Sequence, residues 1–274
     1  MITCAKLDDP VPAIAYLRQD VLANEDLIVA LERNMPPVPR DVWVATEHDG
    51  TVVGVMMLQD FTVAGPGGEL CASLRVTLPE ALPALLQCLA PTSSYRFIAP
   101  VSLREMVLAE LDEATSFSET VGLSLRPNDL RLSESPGEVR RLTIADKPLT
   151  DRFPIMREHE PPLSRFVEWA EQDPDSSVVF GAVTDGEVVS YVQFGRETDN
   201  IWDAHIWTRE GYRRRGFAKA VLSHAAEYLV RRGLTPTYSV NADNTASLRT
   251  AHAVGFHEVF RLFSCRGRVK AGPA

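Results

Sequence analysis

The stretch from Ile201 to Val230 constrains the fold of this chain more than any other. Its first part, Ile201-Trp202-Asp203-Ala204-His205-Ile206-Trp207-Thr208, interleaves β-branched and aromatic residues with polar ones and predicts a strand. A turn at Arg209-Glu210-Gly211 leads into Tyr212-Arg213-Arg214-Arg215-Gly216-Phe217-Ala218-Lys219. Phe217, Val221, Ala225 and Tyr228 then recur on one face of a 3.6-residue period, which predicts a helix. Strand, basic glycine turn and helix together make an anion site. The first amides of a helix have no internal acceptor, and the dipole places positive potential beside them. Gly216 and Ala218 carry little or no side chain, so a phosphate can approach the backbone. Arg213, Arg214, Arg215 and Lys219 add formal charge.

The spelling Arg-x-x-Gly-x-Ala at Arg213, Gly216 and Ala218 closely resembles the acetyl-CoA pyrophosphate loop of the GNAT N-acetyltransferases. A second block agrees in order and distance. Tyr238-Ser239-Val240-Asn241-Ala242-Asp243-Asn244-Thr245-Ala246-Ser247-Leu248 leads to Val254-Gly255-Phe256, similar to the Asn-x-x-Ser and Gly-Phe signature of that family. The resemblance covers about Glu138 to Arg266. It implies acetyl-CoA as acyl donor, with the pyrophosphate on Arg213, Arg214, Arg215, Gly216, Phe217, Ala218 and Lys219. It also implies a pantetheine arm along the strand edge at Ile206, Trp207 and Thr208, and Asn244 beside that arm. Asn is equally a preferred helix N-cap, and both roles are compatible.

The chain has 274 residues, enough for two domains. Its net charge of −9 argues against a nucleic-acid or anionic-membrane partner, which would need a basic face. The arginine cluster is thus local and sized for a small ligand, with an amine acceptor as the other partner; a homodimer is compatible with this reading. Cys4, Cys71, Cys88 and Cys265 are far apart and match neither a zinc site nor a disulfide scaffold. We expect reduced thiols, no metal site and a cytoplasmic protein, since the first residues contain no apolar signal region and no run is long enough to span a membrane.

The first half repeats part of this plan. A helical pattern covers roughly Val11 to Arg33, and Pro36-Pro37-Val38-Pro39 ends it, since proline lacks the amide a helix needs. Trp43–Thr46, the turn Asp49-Gly50 and Val52–Met57 predict a hairpin. Asp49-Gly50-x-Val52-Val53 superposes on Asp185-Gly186-x-Val188-Val189 without a gap. Ala72–Thr77, Leu82–Leu89 and Tyr95–Ile98 continue as strand, helix and strand, and Ser102–Glu105 spells a capping box for a helix reaching Leu111. Leu78-Pro79-Glu80-Ala81-Leu82-Pro83 stands where a glycine loop would be; its prolines lack amides, and Glu80 repels phosphate. The expected fold is α/β with a mixed sheet, a tandem acyl-CoA N-acyltransferase (GNAT) fold of two similar domains. Residues 1–134 would form a degenerate domain without a CoA loop and 138–274 the acetyl-CoA-binding domain, with the linker near Arg126–Glu138. An unrelated α+β domain is the alternative for the first half.

Acyl transfer from a thioester to an amine needs a held donor, a polarised carbonyl and a route for protons. Many family members have a tyrosine four residues before the glycine of Gly-Phe, as acid to the thiolate, and some a glutamate on the strand before the asparagine. Here those positions hold Ala251 and Ser239. Asp203 and His205 are the candidate bases, ahead of His252 and Tyr238, and Arg157–Glu160 could face an amine. Ala251→Tyr is expected to be tolerated or mildly activating if the packing takes the ring. The alternative function is a non-catalytic acyl-CoA-binding regulator or scaffold.

Overall fold

A computed structural model describes residues 2–33, 37–64, 67–155 and 161–271. In chain order its elements are β1 (Thr3–Leu7), α1 (Val11–Leu17), α2 (Val21–Arg33), β2 (Arg40–Thr46), β3 (Val52–Asp60), β4 (Leu70–Val76), α3 (Ala81–Leu86) and β5 (Tyr95–Pro100). There follow α4 (Arg104–Ala109), β6 (Leu111–Ser124), β7 (Glu138–Arg141), α5 (Lys147–Thr150), α6 (Leu163–Gln172), β8 (Ser177–Thr184) and β9 (Glu187–Arg196). The last are β10 (Ile201–Thr208), α7 (Phe217–Val230), β11 (Thr235–Asn241), α8 (Thr245–Val254) and β12 (His257–Val269). The chain forms two compact units, one of Met1–Val121 with Phe260–Ala274 and one of Gly122–Val259.

In the first unit the strands run β1-β2-β3-β4-β5-β12, antiparallel except for the parallel pair β4–β5. Alternation of side chains across each strand gives the sheet two apolar faces. Val42, Val44, Val55 and Met57 pack with Tyr16, Leu17, Leu27 and Ile28 of α1 and α2. Met56, Ala72 and Leu74 pack with Leu82 and Leu85 of α3. The second unit runs β7-β8-β9-β10-β11, again with one parallel pair, β10–β11. Leu163, Val167 and Ala170 of α6 pack with Val179, Val188 and Tyr191. Phe180, on the other face, meets the ring of Tyr228 of α7 edge-on at 5.5 Å.

The hairpin repeat read from the sequence holds in register. Gly54 opposes Val76 as Ser190 opposes Thr208, Met57 opposes Ser73 as Gln193 opposes His205, and Asp60 opposes Leu70 as Arg196 opposes Trp202. The register shift also falls at one place. Thr46 pairs Val52 and Ala45 pairs Gly54, skipping Val53; Val183 pairs Val188 and Ala182 pairs Ser190, skipping Val189. The skipped residues turn their carbonyls to the same task. Val53 O accepts from Thr77 N and Val189 O from Arg209 N, both at 2.9 Å. Each bond fixes where the central strand ends and its loop begins.

Three local expectations are corrected. The helix over Val11–Arg33 is broken by a 3-10 turn at Arg18–Asp20. Asp20 Oδ1 accepts from Ala23 N, and Asn24 Nδ2 donates to Leu17 O, so α2 starts afresh. The capping box at Ser102 does not form, because Val101–Leu103 is a 3-10 turn and Leu103 is the residue before α4, with no side-chain cap. The chain is already in a strand at Leu111; β6 has 14 residues, with mostly polar side chains up to Glu119 and positive φ at Glu113 and Ser116, and it carries little apolar signal. The stretch after Arg126 has one 3-10 turn, Pro127–Asp129, and then no regular structure up to β7. It is pinned within the second unit where Arg131 N donates to Val254 O and Ser133 N to Ser223 Oγ.

Candidate active site

The central strand β10 is paired along its length on one side only. Trp202–Thr208 pair antiparallel with Arg196–Ser190 of β9. On the other side the parallel pairing with β11 stops at Asp203–Thr237. Beyond that point Ala204–Thr208 and Tyr238–Asn241 run on without pairing to each other. Two parallel strands that part leave main-chain donors and acceptors facing a slot, and an extended ligand can bond there as a strand would. Ile206, Trp207 and Thr208 lie along this edge. Thr208 Oγ1 meets Ser190 Oγ at 2.7 Å, and Arg213 Nε donates to Thr208 O at 3.3 Å, tying the strand end to the basic turn.

The turn itself is built to expose amides. Arg214 has φ +60 and Gly216 has φ +91, so the backbone curls left-handed twice before α7. Arg213 N still bonds Glu210 O, and the next main-chain bond is Ala220 N to Gly216 O. Among the described residues the amides from Arg214 to Lys219 have no main-chain acceptor. No atom lies within 4 Å of where a Gly216 Cβ would sit, so the space before the helix is open. Arg213, Arg214 and Arg215 are exposed, and Arg215 lies over the rings of Tyr212 and Phe217 at 5.2 and 5.6 Å. Phe217 is buried and anchors the turn, while Ala218 and Lys219 are half-buried on the first turn of α7. Donors, charge and space together suit a diphosphate.

Asp203 sits where β10 and β11 part. Its carboxylate accepts from Thr237 Oγ1 at 3.2 Å and from the Ser239 and Ala204 amides. Burial, and then the negative charge of Glu197, raise it from the usual 3.8 to about 7 despite these bonds. A carboxyl with that value holds its proton weakly near neutrality and can accept one from an amine. His205 and Trp207 follow on the same face. Trp207 Nε1 donates to His205 Nε2 at 2.6 Å, which makes Nε2 the acceptor and leaves the imidazole proton on Nδ1. The lone pair that a base would use is thus engaged by the indole. Burial raises the Tyr238 hydroxyl, Ser247 partly offsets that, and the charge of Asp203 adds to the rise.

Asn244 is the N-cap of α8, its Oδ1 accepting from Ser247 N at 3.2 Å. The residue is exposed, so the cap leaves its amide nitrogen available. Ala251 is fully buried, and His252 Nδ1 is 3.0 Å from Phe256 O. Arg157, Glu158, His159 and Glu160 lie outside the described residues. Thr237 and Glu197 set the properties of Asp203 and were not foreseen; Ser239, singled out only as standing where some family members carry a glutamate, contributes its amide. Their spacing in sequence carries no signal, since only the pairing register brings them together. Among the described residues there is no cluster that could hold a metal ion and no helix long and apolar enough to cross a membrane.

Residues 142–256 match the model of the acetyltransferase (GNAT) family. No curated protein sequence is significantly similar to the chain. Solved structures resemble it along its full length. A GNAT-family acetyltransferase from Colwellia psychrerythraea is 13% identical, with 97% of this chain and 100% of that one covered and a TM-score of 0.62. A GCN5-related N-acetyltransferase from Sphaerobacter thermophilus is 15% identical, with 98% and 97% covered and a TM-score of 0.62. A tandem GNAT protein from the clavulanic acid biosynthesis pathway is 14% identical, with 100% of both chains covered and a TM-score of 0.55. Residues 142–256 are therefore similar to the GNAT family, and the chain as a whole has a tandem GNAT fold.

Proposed function

We propose that this protein is an acetyl-CoA-dependent N-acyltransferase with one live site, in the second unit, acting on a primary amine. The observation that carries the reading is the parting of β10 and β11 at Asp203, next to a helix start whose amides are open. Acetyl-CoA, when bound, supplies an activated acyl group and a good leaving thiolate. The amides and arginines of residues 213–219 hold its phosphates, and the open edge at Ile206, Trp207 and Thr208 aligns the arm. Asp203 takes the proton from the attacking amine, directly or through one water, and Thr237 keeps the carboxylate in place. His205 acts in positioning, locked by Trp207.

The first unit is read as binding no CoA. Ala81 N donates to Leu78 O and Leu82 N to Pro79 O, so its loop satisfies its own amides. Pairing of β4 with β5 also runs on to Ser73–Ile98, whereas His205, the register counterpart of Ser73, is already parted from β11. Further along β4, Arg75 is buried and donates to Asn24 Oδ1 at 2.9 Å and to Asp26 at 3.0 Å. Titration calorimetry with acetyl-CoA should give one site per chain; two sites would refute the assignment of the first unit.

One observation favours a second reading, a protein that binds acyl-CoA without turning it over. Ala251, where many family members carry an acid for the thiolate, is buried and inert. A panel of amines with detection of released thiol separates the two: steady release with any acceptor supports the enzyme, and tight binding without release supports the regulator.

A further inference from the structure

Four cysteines spread through the sequence gave no reason to pair any of them, but the fold of the first unit brings two together. Cys4 lies on the edge strand β1, and Cys88 follows the end of α3. The two are 84 positions apart, and their Sγ atoms are 3.0 Å apart. Both are half-buried, against the same apolar cluster, whereas Cys71 and Cys265 are buried. Cys88 Sγ also reaches Ala84 O at 3.4 Å, which holds it toward its partner.

We propose that Cys4 and Cys88 form a reversible disulfide that staples β1 to the end of α3 when a small disulfide such as glutathione disulfide accumulates. Burial and the neighbouring Cys88 push the Cys4 thiol up to about 12, which slows attack by Cys4 on an external disulfide. The Cys88 thiolate displaces one glutathione thiolate from glutathione disulfide and forms a mixed disulfide. Cys4 then gives its proton to water and attacks the Cys88 sulfur, and the second glutathione thiolate leaves. The two protein thiols lose two electrons, and one glutathione disulfide becomes two glutathione thiols. The result constrains the unfolded chain over a long loop, and it stabilises the unit that carries it. In a reducing compartment the bond opens again, which makes it a sensor rather than a permanent tie.

The test is to treat the native full-length chain with glutathione disulfide and map its thiols by mass spectrometry without reduction. The expected result is loss of two hydrogens, a Cys4–Cys88 cross-link, unmodified Cys71 and Cys265, and a higher unfolding midpoint that reverts with dithiothreitol. Cys4→Ser should instead stop at a stable glutathione adduct on Cys88, while folding like the parent. A persistent adduct in the parent chain, preferential modification of Cys71 or Cys265, or an unchanged midpoint after cross-linking would each overturn the proposal.

Discussion

Replacing Asp203 with asparagine should separate activity from stability in opposite directions. Burial and Glu197 raise this carboxyl from 3.8 to about 7. At roughly 1.4 kcal/mol per decade, holding the charged form in the folded state costs at most about 4 kcal/mol, and solvent relaxation will reduce that. The sign follows from proton linkage. The folded state binds the Asp203 proton more tightly than the unfolded state does. Stability from this group is therefore full below the unfolded value and is lost as pH rises through about 7. Asp203→Asn has no charge to bury and can still bond Thr237. At about pH 3, below the unfolded value, parent and variant should unfold at similar denaturant concentrations; at about pH 8 the variant should be more stable by about 1–3 kcal/mol. Turnover should move the other way. A general base contributes about 10²–10⁴-fold, so the variant should lose that factor at pH 8 with acetyl-CoA affinity unchanged. The limb of the parent's pH–rate profile near 7 should also vanish, leaving only the slope of the amine's own ionisation. The assay is urea unfolding at both pH values, beside thiol release with the best acceptor. A variant with parental rate and profile, or with no stability gap at pH 8, would refute the assignment. His205→Ala is the matched substitution on the same face, and it should lower turnover less than Asp203→Asn does.

Gly216→Asp should abolish acetyl-CoA binding in calorimetry while leaving the circular dichroism spectrum intact, because its Cβ has open space but its φ of +91 and new charge face the anion site. Ala251→Tyr, which sequence alone allowed to be neutral or activating, should instead destabilise by about 1–3 kcal/mol or more in urea, since Ala251 is fully buried and the ring has no room. Gly255→Ala should cost more than the usual helix-end substitution, because φ is +110 and the new Cβ would fall 1.9 Å from Asp129 O; a midpoint within error of the parent would show that the 127–129 turn can move away.

The loop around Gly216 was legible because its chemistry is local: consecutive arginines, a glycine and a helix period all sit within one short segment. The hairpins were legible for the same reason, through Asp-Gly turns and alternating valines. What the sequence could not display is where pairing stops. Nothing in Asp203 or Thr237 says that β10 and β11 part beyond them, so the depth of the slot and the raised carboxyl were out of reach. The helix over Val11–Arg33 failed differently. Its apolar period is continuous, but Asp20 and Asn24 divert bonds to Ala23 N and Leu17 O, and such side-chain competition with the backbone leaves the hydrophobic pattern untouched. β6 was missed because its polar side chains give it no apolar stripe to read. The Cys4–Cys88 contact joins strand and helix end across most of a domain, a distance that spacing rules do not cover.

The shared bulge at Val53 and Val189 turns the chain into its own toolkit. Because one carbonyl clamps the end of the central strand in each unit, the segment that follows is a cassette with a fixed upstream joint. Grafting Arg209–Lys219 after Val76, in place of Thr77–Glu80, would move the proposed phosphate-binding loop onto a scaffold that already holds its strand in the matching position. Whether the transplanted loop then captures acetyl-CoA depends on the differences that remain, among them the extra rungs that zip β4 to β5 as far as Ser73 and the Arg75 bonds to Asn24 and Asp26. The two units thus divide a question that separate proteins rarely pose cleanly: how much of a ligand site resides in the loop that touches the ligand, and how much in the gap between strands that lets the ligand in.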